Sequence, residues 1–456
     1  MTSTTNWRDA VTGDFAKAHK WDDGKPGIKS DAVIAATGAD YVVKVIGADA
    51  AHILTLDSAD ATLNEKGQGS LHAGRLAIES GTAILTTTNA IGSIAMTGGE
   101  LKFSNAAALG DAAISIGQTA KLSAIASAEI ANNIVIDGQA TFTVGHGQTL
   151  AMDGAFTFDP SSANRLNFLS NGHGSGPGGV IDVNDTGSVG AVAAHCFLTI
   201  DGVTLGSSVA GSSFFNTFVS SAQSVVIDSG ALDLTNQNDI SLARLFGDGD
   251  VVNTGGRENL VLSDPQFGGT LEGDFNIRLE GGSLAATAAL KAGDTIHVIG
   301  GGDIGANFVG DAPAIELKAS HGNGILSLEG STFNAAPPAV DMGTGQNNEL
   351  RLDHTFNGTI SDFGGHNGGT DVIVIGDEDS TSDWSLQYDP NASGTGGELV
   401  VQSGMGPIVV TLNLEGSYSQ GDFVLNARSL FLEIDCSSEQ SSPHTPEITH
   451  IVDALI

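Results

Sequence analysis

The densest run of potential ligands lies in residues 352–427, which hold eleven acidic residues and no lysine or arginine. Carboxylates crowded in this way repel one another until a hard cation bridges them, and Ca2+ accepts about six to eight oxygens in flexible geometry. Asp362, Asp371, Asp377, Glu378, Asp379 and Asp383 are therefore the candidate ligands of a bound Ca2+, with Gly376-Asp-Glu-Asp-Ser as the best single loop. That loop lacks the spacing of an EF-hand, so a solvated acidic face is the competing reading. Asp248-Gly249-Asp250 and Gly300-Gly-Gly-Asp303 are read as turns, where Asp and Gly do conformational work.

Other chemistry finds little to build on. The 12 histidines are dispersed, with no H-E-x-x-H pair, and no G-x-S-x-G elbow presents a serine. The glycines at 300–302 form no phosphate loop, because no lysine follows and no strand-to-helix unit surrounds them. Arg165, Arg244, Arg257, Arg278 and Lys291 occur singly. A glycosidase needs two facing carboxylates, and a β-helical lyase wants a cation beside its calcium. No catalytic constellation is visible, and the chain is read as a non-enzyme.

With 18 Lys+Arg against 53 Asp+Glu, the net charge is −35. Such a surface repels phosphate backbones and anionic lipid, which argues against nucleic-acid and membrane-surface partners. No apolar run approaches the length that spans a bilayer, so no membrane insertion is expected. Residues 1–9 show no basic region followed by an apolar one, so no cleavable signal peptide is expected. Cys196 and Cys436 are too few for a disulfide framework, although one bridge between them is conceivable.

The elements that must carry these residues are short strands. Apolar pairs at i, i+2 recur from about Asp31: Leu54/Leu56, Leu76/Ile78, Ile94/Met96, Leu101/Phe103, Ile114/Ile116, Ile134/Ile136, Phe142/Val144, Leu150/Met152 and Phe156/Phe158. Period two marks a strand with one buried face. The breaks, such as Gly98-Gly99 and Asp137-Gly138, carry turn chemistry. The pattern persists for hundreds of residues, helix-period segments are scarce after residue 30, and Gly98-Gly-Glu-Leu echoes Gly281-Gly-Ser-Leu and Gly396-Gly-Glu-Leu. Loose echoes of this kind are what stacked coils leave when only inward positions are constrained. The expected fold is all-β: a parallel β-helix (β-solenoid) with an N-terminal cap and a distinct C-terminal β region. The alternative is a series of β-sandwiches.

The expected organisation is a cap over 1–30, holding Trp7 and Trp21, then a parallel β-helix over 31–335. A break follows at 336–348, containing the Pro337-Pro338 pair, then an acidic β region at 349–435 and a tail at 436–456.

The stretches Trp21-Asp-Asp-Gly-Lys-Pro-Gly-Ile-Lys-Ser-Asp-Ala-Val-Ile, Tyr41-Val-Val-Lys-Val and Leu54-Thr-Leu-Asp-Ser-Ala-Asp-Ala-Thr-Leu63 resemble the start of repetitive β-strand surface proteins of alphaproteobacteria. Phe267-Gly-Gly-Thr-Leu, Phe356-Asn-Gly-Thr-Ile-Ser-Asp-Phe363 and Leu414-Glu-Gly-Ser-Tyr-Ser-Gln-Gly-Asp-Phe-Val-Leu425 are similar to that group's later units. The likeness is scattered over most of the chain in short, degenerate pieces. It implies type I secretion, which reads an uncleaved C-terminal signal, and Asp453-Ala-Leu-Ile456 resembles one. The chain departs from typical type I cargo in its calcium nonapeptides: only Gly369-Thr-Asp371-Val-Ile373 matches half of one.

The expected function is therefore that of an extracellular or cell-surface structural protein, exported without an N-terminal signal peptide. It would self-assemble with copies of itself into a layer, filament or matrix, in a calcium-dependent manner, through the open ladders at its ends. The alternative is a polysaccharide-binding adhesin, or a lyase or glycosidase acting on cell-surface polysaccharide. Three Trp and three Tyr leave few platforms for sugar stacking.

Overall fold

A computed structural model describes residues 2–159, 164–171, 178–184 and 196–280. Beyond these it describes 283–284, 287–289, 295–299, 303–305, 307–310, 314–318, 325–328, 332–333, 338–343, 347–352, 356–364, 370–376, 384–403, 408–427 and 431–436. Two compact units, Met1–Asp274 and Phe275–Ile456, divide the chain.

In the first unit the period-two pairs become the rungs of a parallel β-solenoid. Strands Ser30–Ile34, Ala48–Leu56, Ser70–Ile78, Ser93–Met96, Ala113–Gly117, Ile134–Asp137 and Phe156–Phe158 stack in parallel as a first sheet. Leu54, Leu76, Ile94, Ile114, Ile134 and Phe156 form one inward column, and Leu56, Ile78, Met96, Ile116, Ile136 and Phe158 form the next. All twelve are buried, so each coil contributes one thin apolar layer to a continuous core. A second sheet contains Tyr41–Val45, Ala61–Glu65, Thr82–Leu85, Glu100–Phe103, Ala120–Ala124, Gln139–Gly145, Arg165–Asn171 and Cys196–Asp201. Its inward column runs Leu63, Ala83, Leu101, Leu122, Phe142, Phe168 and Ile200, with the Phe142 and Phe168 rings stacked at 5.6 Å. A third sheet begins at Ala128–Ile130 and continues through Thr149–Met152, Gly179–Val183 and Val203–Gly206.

Corners of a solenoid strand backbone polar groups in the interior, where each must find a partner. Asparagines supply them. Asn132 is buried, and its Nδ2 donates to the carbonyls of Gly110 at 2.9 Å and Ala112 at 2.8 Å in the preceding coil. Asn89 accepts from the Leu71 amide at 2.7 Å and donates to the Ala108 carbonyl at 2.9 Å, tying three coils together. Replacing Asn132 with alanine is expected to cost about 2–3 kcal/mol, because two buried carbonyls lose their donor. Urea unfolding of the variant checks this. At Gly99 the corner needs glycine for two reasons: φ is +67°, and a Cβ would stand 2.6 Å from the Gly81 carbonyl oxygen of the coil below. Close stacking of this kind accounts for the Gly98-Gly99 pair, whereas Gly281-Gly282 lies outside the described residues and Gly396-Gly397 opens an antiparallel strand.

One helix departs from the strand pattern. Ser213–Ser220 is capped by the Ser212 hydroxyl, which accepts from the Phe215 amide at 3.1 Å. Its buried Phe214 and Phe218 stack at 6.0 Å, and they meet Phe156 and Phe158, the last rung of the first sheet, at 6.0 Å each. The helix covers that sheet where its strands stop.

At the N-terminus, Trp7, Phe15 and Trp21 are buried together, Trp21 lying 5.1 Å from Trp7 and 5.0 Å from Phe15, edge to face. Strand Ser3–Asn6 pairs in parallel with residues 30–33, and residues 20–24 fold back over its outer edge. The Arg8 amide donates to the Lys20 carbonyl, the Asp22 amide to the Asn6 carbonyl, and the Asn6 amide to Asp22 Oδ1 at 2.7 Å. This coil end is therefore closed, in keeping with the expected cap, and offers no open ladder for end-to-end assembly, because backbone groups that would template another strand are already bonded.

In the second unit parallel stacking continues. Thr295–Ile299, Ala314–Lys318, Ala339–Asp341 and Thr359–Ser361 form one ladder, and Ile325–Ser327, Glu349–Leu352 and Asp371–Gly376 another. Residues 334–337, including Pro337, lie outside the described residues, but Ala339–Asp341 pairs on both sides. The chain thus re-enters the ladder directly after the proline pair, within the expected break. The register then turns antiparallel: Asp371–Gly376 pairs with Phe431–Cys436, which pairs with Phe423–Ala427. Trp384–Pro390, Gly396–Ser403 and Ile408–Glu415 form an antiparallel meander. Cys196 and Cys436 are buried thiols in different units, with no disulfide between them.

Candidate functional site

Of the six expected calcium ligands, Asp377, Glu378, Asp379 and Asp383 lie outside the described residues. Asp362 and Asp371 are brought near each other at the end of the second unit's parallel coils. Asp362 follows strand Thr359–Ser361 in a left-handed conformation, φ +52°. Asp371 opens strand Asp371–Gly376 and is fully buried. Its Oδ1 accepts from the Asn348 amide at 3.0 Å and its Oδ2 from the Gly364 amide at 3.2 Å. Burial raises its pKa to about 7 against those two donors, with Asp362 adding repulsion. Its oxygens are thus committed to binding together neighbouring coil segments. Two carboxylates with one so placed fall well short of the oxygens Ca2+ takes. Among the described residues, no group of three or more His, Cys, Asp or Glu is arranged to hold a metal.

The same region gathers the motif residues that sequence had set apart. Phe363 stacks on Phe423 at 6.2 Å, and Tyr418 and Tyr388 approach the Phe423 ring at 5.4 and 5.3 Å. Gln420 pins the outer edge of strand Trp384–Pro390, accepting from the Tyr388 amide at 2.6 Å and donating to the Leu386 carbonyl at 3.0 Å. An amide side chain there blocks the place where another strand would add.

On the outward face of the second sheet a polar cluster spans successive coils. Glu100 Oε1 lies 3.1 Å from Lys121 Nζ and accepts from the Ser123 hydroxyl at 2.6 Å, while Oε2 lies 3.2 Å from Lys102 Nζ. Thr143 donates to Ser123 at 2.8 Å, and Lys121 also donates to Asn171 at 3.2 Å. Burial opposes ionisation of Glu100, yet Ser123 and the two lysines outweigh it and hold the carboxyl below its usual range. This is an ionised clamp, and among the described residues no second carboxylate faces Glu100 to make an acid–base pair. Glu100 and Lys102 share one strand, and the ladder register brings Lys121 and Ser123 of the next coil to them.

No protein family, curated protein or solved structure matches this chain.

Several buried carboxyls also escape a pattern-based reading. Glu65 occupies an inward position, and its Oε2 accepts from the Thr86 and Thr87 amides at 2.6 and 2.9 Å. Asp49, opposite Leu71 in the ladder, is 2 % exposed, and Lys25 Nζ reaches its Oδ1 at 3.0 Å from the N-terminal cap. A Lys25→Met substitution strands that carboxylate and is expected to cost about 3 kcal/mol, the low end for breaking a buried pair because Lys25 is itself half-exposed. Adding Asp49→Asn to the variant should recover most of the loss in thermal unfolding.

Proposed function

We propose that this protein is an extracellular structural solenoid, exported by type I secretion, that associates side by side with copies of itself into a surface layer or matrix. The observation that carries this reading is the outward column of the first sheet. Val33, Thr55, Ala77, Ala95, Ser115, Val135 and Thr157 stand one per coil, all small or β-branched and all uncharged. In a chain of net charge −35, an uncharged stripe repeated over seven coils offers a flat surface on which a second rigid body can rest. The closed N-terminal edge directs contact to the sides. What supports export is the resemblance of the motif units to those of the secreted group.

Sedimentation velocity of the purified full chain over a wide concentration range tests the assembly. Growth of discrete higher species is expected, and a single monomeric species throughout would overturn it. Fractionation of the native cells should place the protein outside the cytoplasm.

A further inference from the structure

We infer that copies pack in parallel, two coils out of step, with lysines on the outward face of the second sheet set against carboxylates along the edge of a neighbour's first sheet. The inference rests on the self-assembly reading and specifies its interface. On the second sheet, Lys44, Asn64, Ile84 and Lys102 succeed one another outward, so Lys44 and Lys102 stand three coils apart. Lys121 lies one coil further on, opposite Glu100.

The edge of the first sheet has the same rhythm in the opposite charge. Glu79 directly follows Ile78, which leads through Met96 and Ile116 to Ile136, three coils away, and Asp137 follows it. Asp159, after Phe158, is one coil further. Both sets are therefore spaced by three coils and then one. With strands about 4.8 Å apart, these steps are roughly 14 and 5 Å. Lys44 belongs to the coil that begins with Ser30–Ile34, and Glu79 to the coil that begins with Ser70–Ile78, two coils later. A stagger of about 10 Å brings all three pairs level.

The charges suit this pairing. Between Gly13 and Asn171 that face carries Lys44, Lys102, Lys121 and Arg165 against Asp14 and Glu100, with Asp201 and Asp228 lying beyond, in a chain with 18 basic and 53 acidic residues. Glu79 and Asp137 are exposed, and the three lysines are part-exposed. The contact is heterologous, so it propagates from copy to copy into an open side-by-side row.

Charge reversal tests it. Full-length Lys44→Glu/Lys102→Glu and, separately, Glu79→Lys/Asp137→Lys are compared with the unmodified chain by sedimentation velocity, with circular dichroism to verify folding. Each variant is expected to remain monomeric where the unmodified chain assembles. An equimolar mixture should assemble again, because each altered face then meets its complement. The second variant touches Glu79, which follows a strand, and Asp137, the outward last residue of one, and leaves the Glu100 clamp intact if the first variant perturbs it. If either folded variant assembles as the unmodified chain does, or if the mixture fails to assemble, this interface is wrong while self-assembly stands. If the unmodified chain itself never assembles, both readings fall.

Discussion

Replacing Trp21 with alanine is expected to destabilise the first unit by about 3–5 kcal/mol, the range for removing a large, fully enclosed aromatic side chain. Trp21 has no exposed surface, its indole N–H donates to the Phe15 carbonyl at 2.8 Å, and its ring sits between Trp7 and Phe15. The loss has a second consequence. Residues 20–24 would no longer lie across strand Ser3–Asn6, and the outward amides of Asn6 and Arg8 would be left as an open edge. Open parallel edges accept further strands. The variant should therefore melt earlier and associate end to end, a mode that the unmodified cap prevents. Thermal unfolding and sedimentation of the variant measure the two effects, and an unchanged melting temperature would refute the role given to the cap.

Raising the pH from 5 to 8.5 is expected to weaken the first unit substantially. Glu258 lies inward on strand Asp250–Leu262, 7 % exposed, and one of its oxygens has no partner. Burial raises its pKa from 4.5 to about 8; the Gln237 amide opposes this, and the nearby carboxylates Asp239 and Asp233 reinforce it. The folded state thus keeps a proton that the unfolded chain releases. Stability is fully present below pH 4.5 and is lost as pH rises through about 8. The displacement corresponds to on the order of 4 kcal/mol across that window. Asp371, held at about 7 against 3.8, imposes the same sign on the second unit, with the loss falling between those two values. A Glu258→Gln chain should lose most of the first unit's dependence. Urea unfolding at the two pH values, followed by Trp7 and Trp21 fluorescence in a Trp384→Phe background, reads this directly. Greater stability at pH 8.5 than at pH 5 would contradict it.

The solenoid was legible in the sequence because its core is written in pairs. Leu54/Leu56 and Ile134/Ile136 are the same two columns five coils' worth of stacking made visible in one dimension. The aromatic cluster of Phe363, Tyr418 and Phe423 was likewise foreshadowed by the motif units that contain those residues. What period two does not reveal is the exception. Glu65, Asp49 and Glu258 sit at inward positions, where a charged residue reads as a turn or an outward face until its donors are known. The Glu100 clamp joins Lys102 of the same strand to Lys121 and Ser123, which only register brings alongside. Helix Ser213–Ser220 is too short for its period to stand out, although the buried Phe214, Phe215, Phe218 and Val219 do follow one. Of the acidic stretch read as a cation site, Asp371 is bonded to backbone amides, while Asp377, Glu378, Asp379 and Asp383 lie outside the described residues.

Electron microscopy of the purified, full-length protein under assembling conditions should show arrays of copies lying side by side, with first-unit coils parallel and neighbours offset by about two coils, or roughly 10 Å. Dispersed single particles at every concentration, or filaments one copy wide joined end to end, would contradict this arrangement.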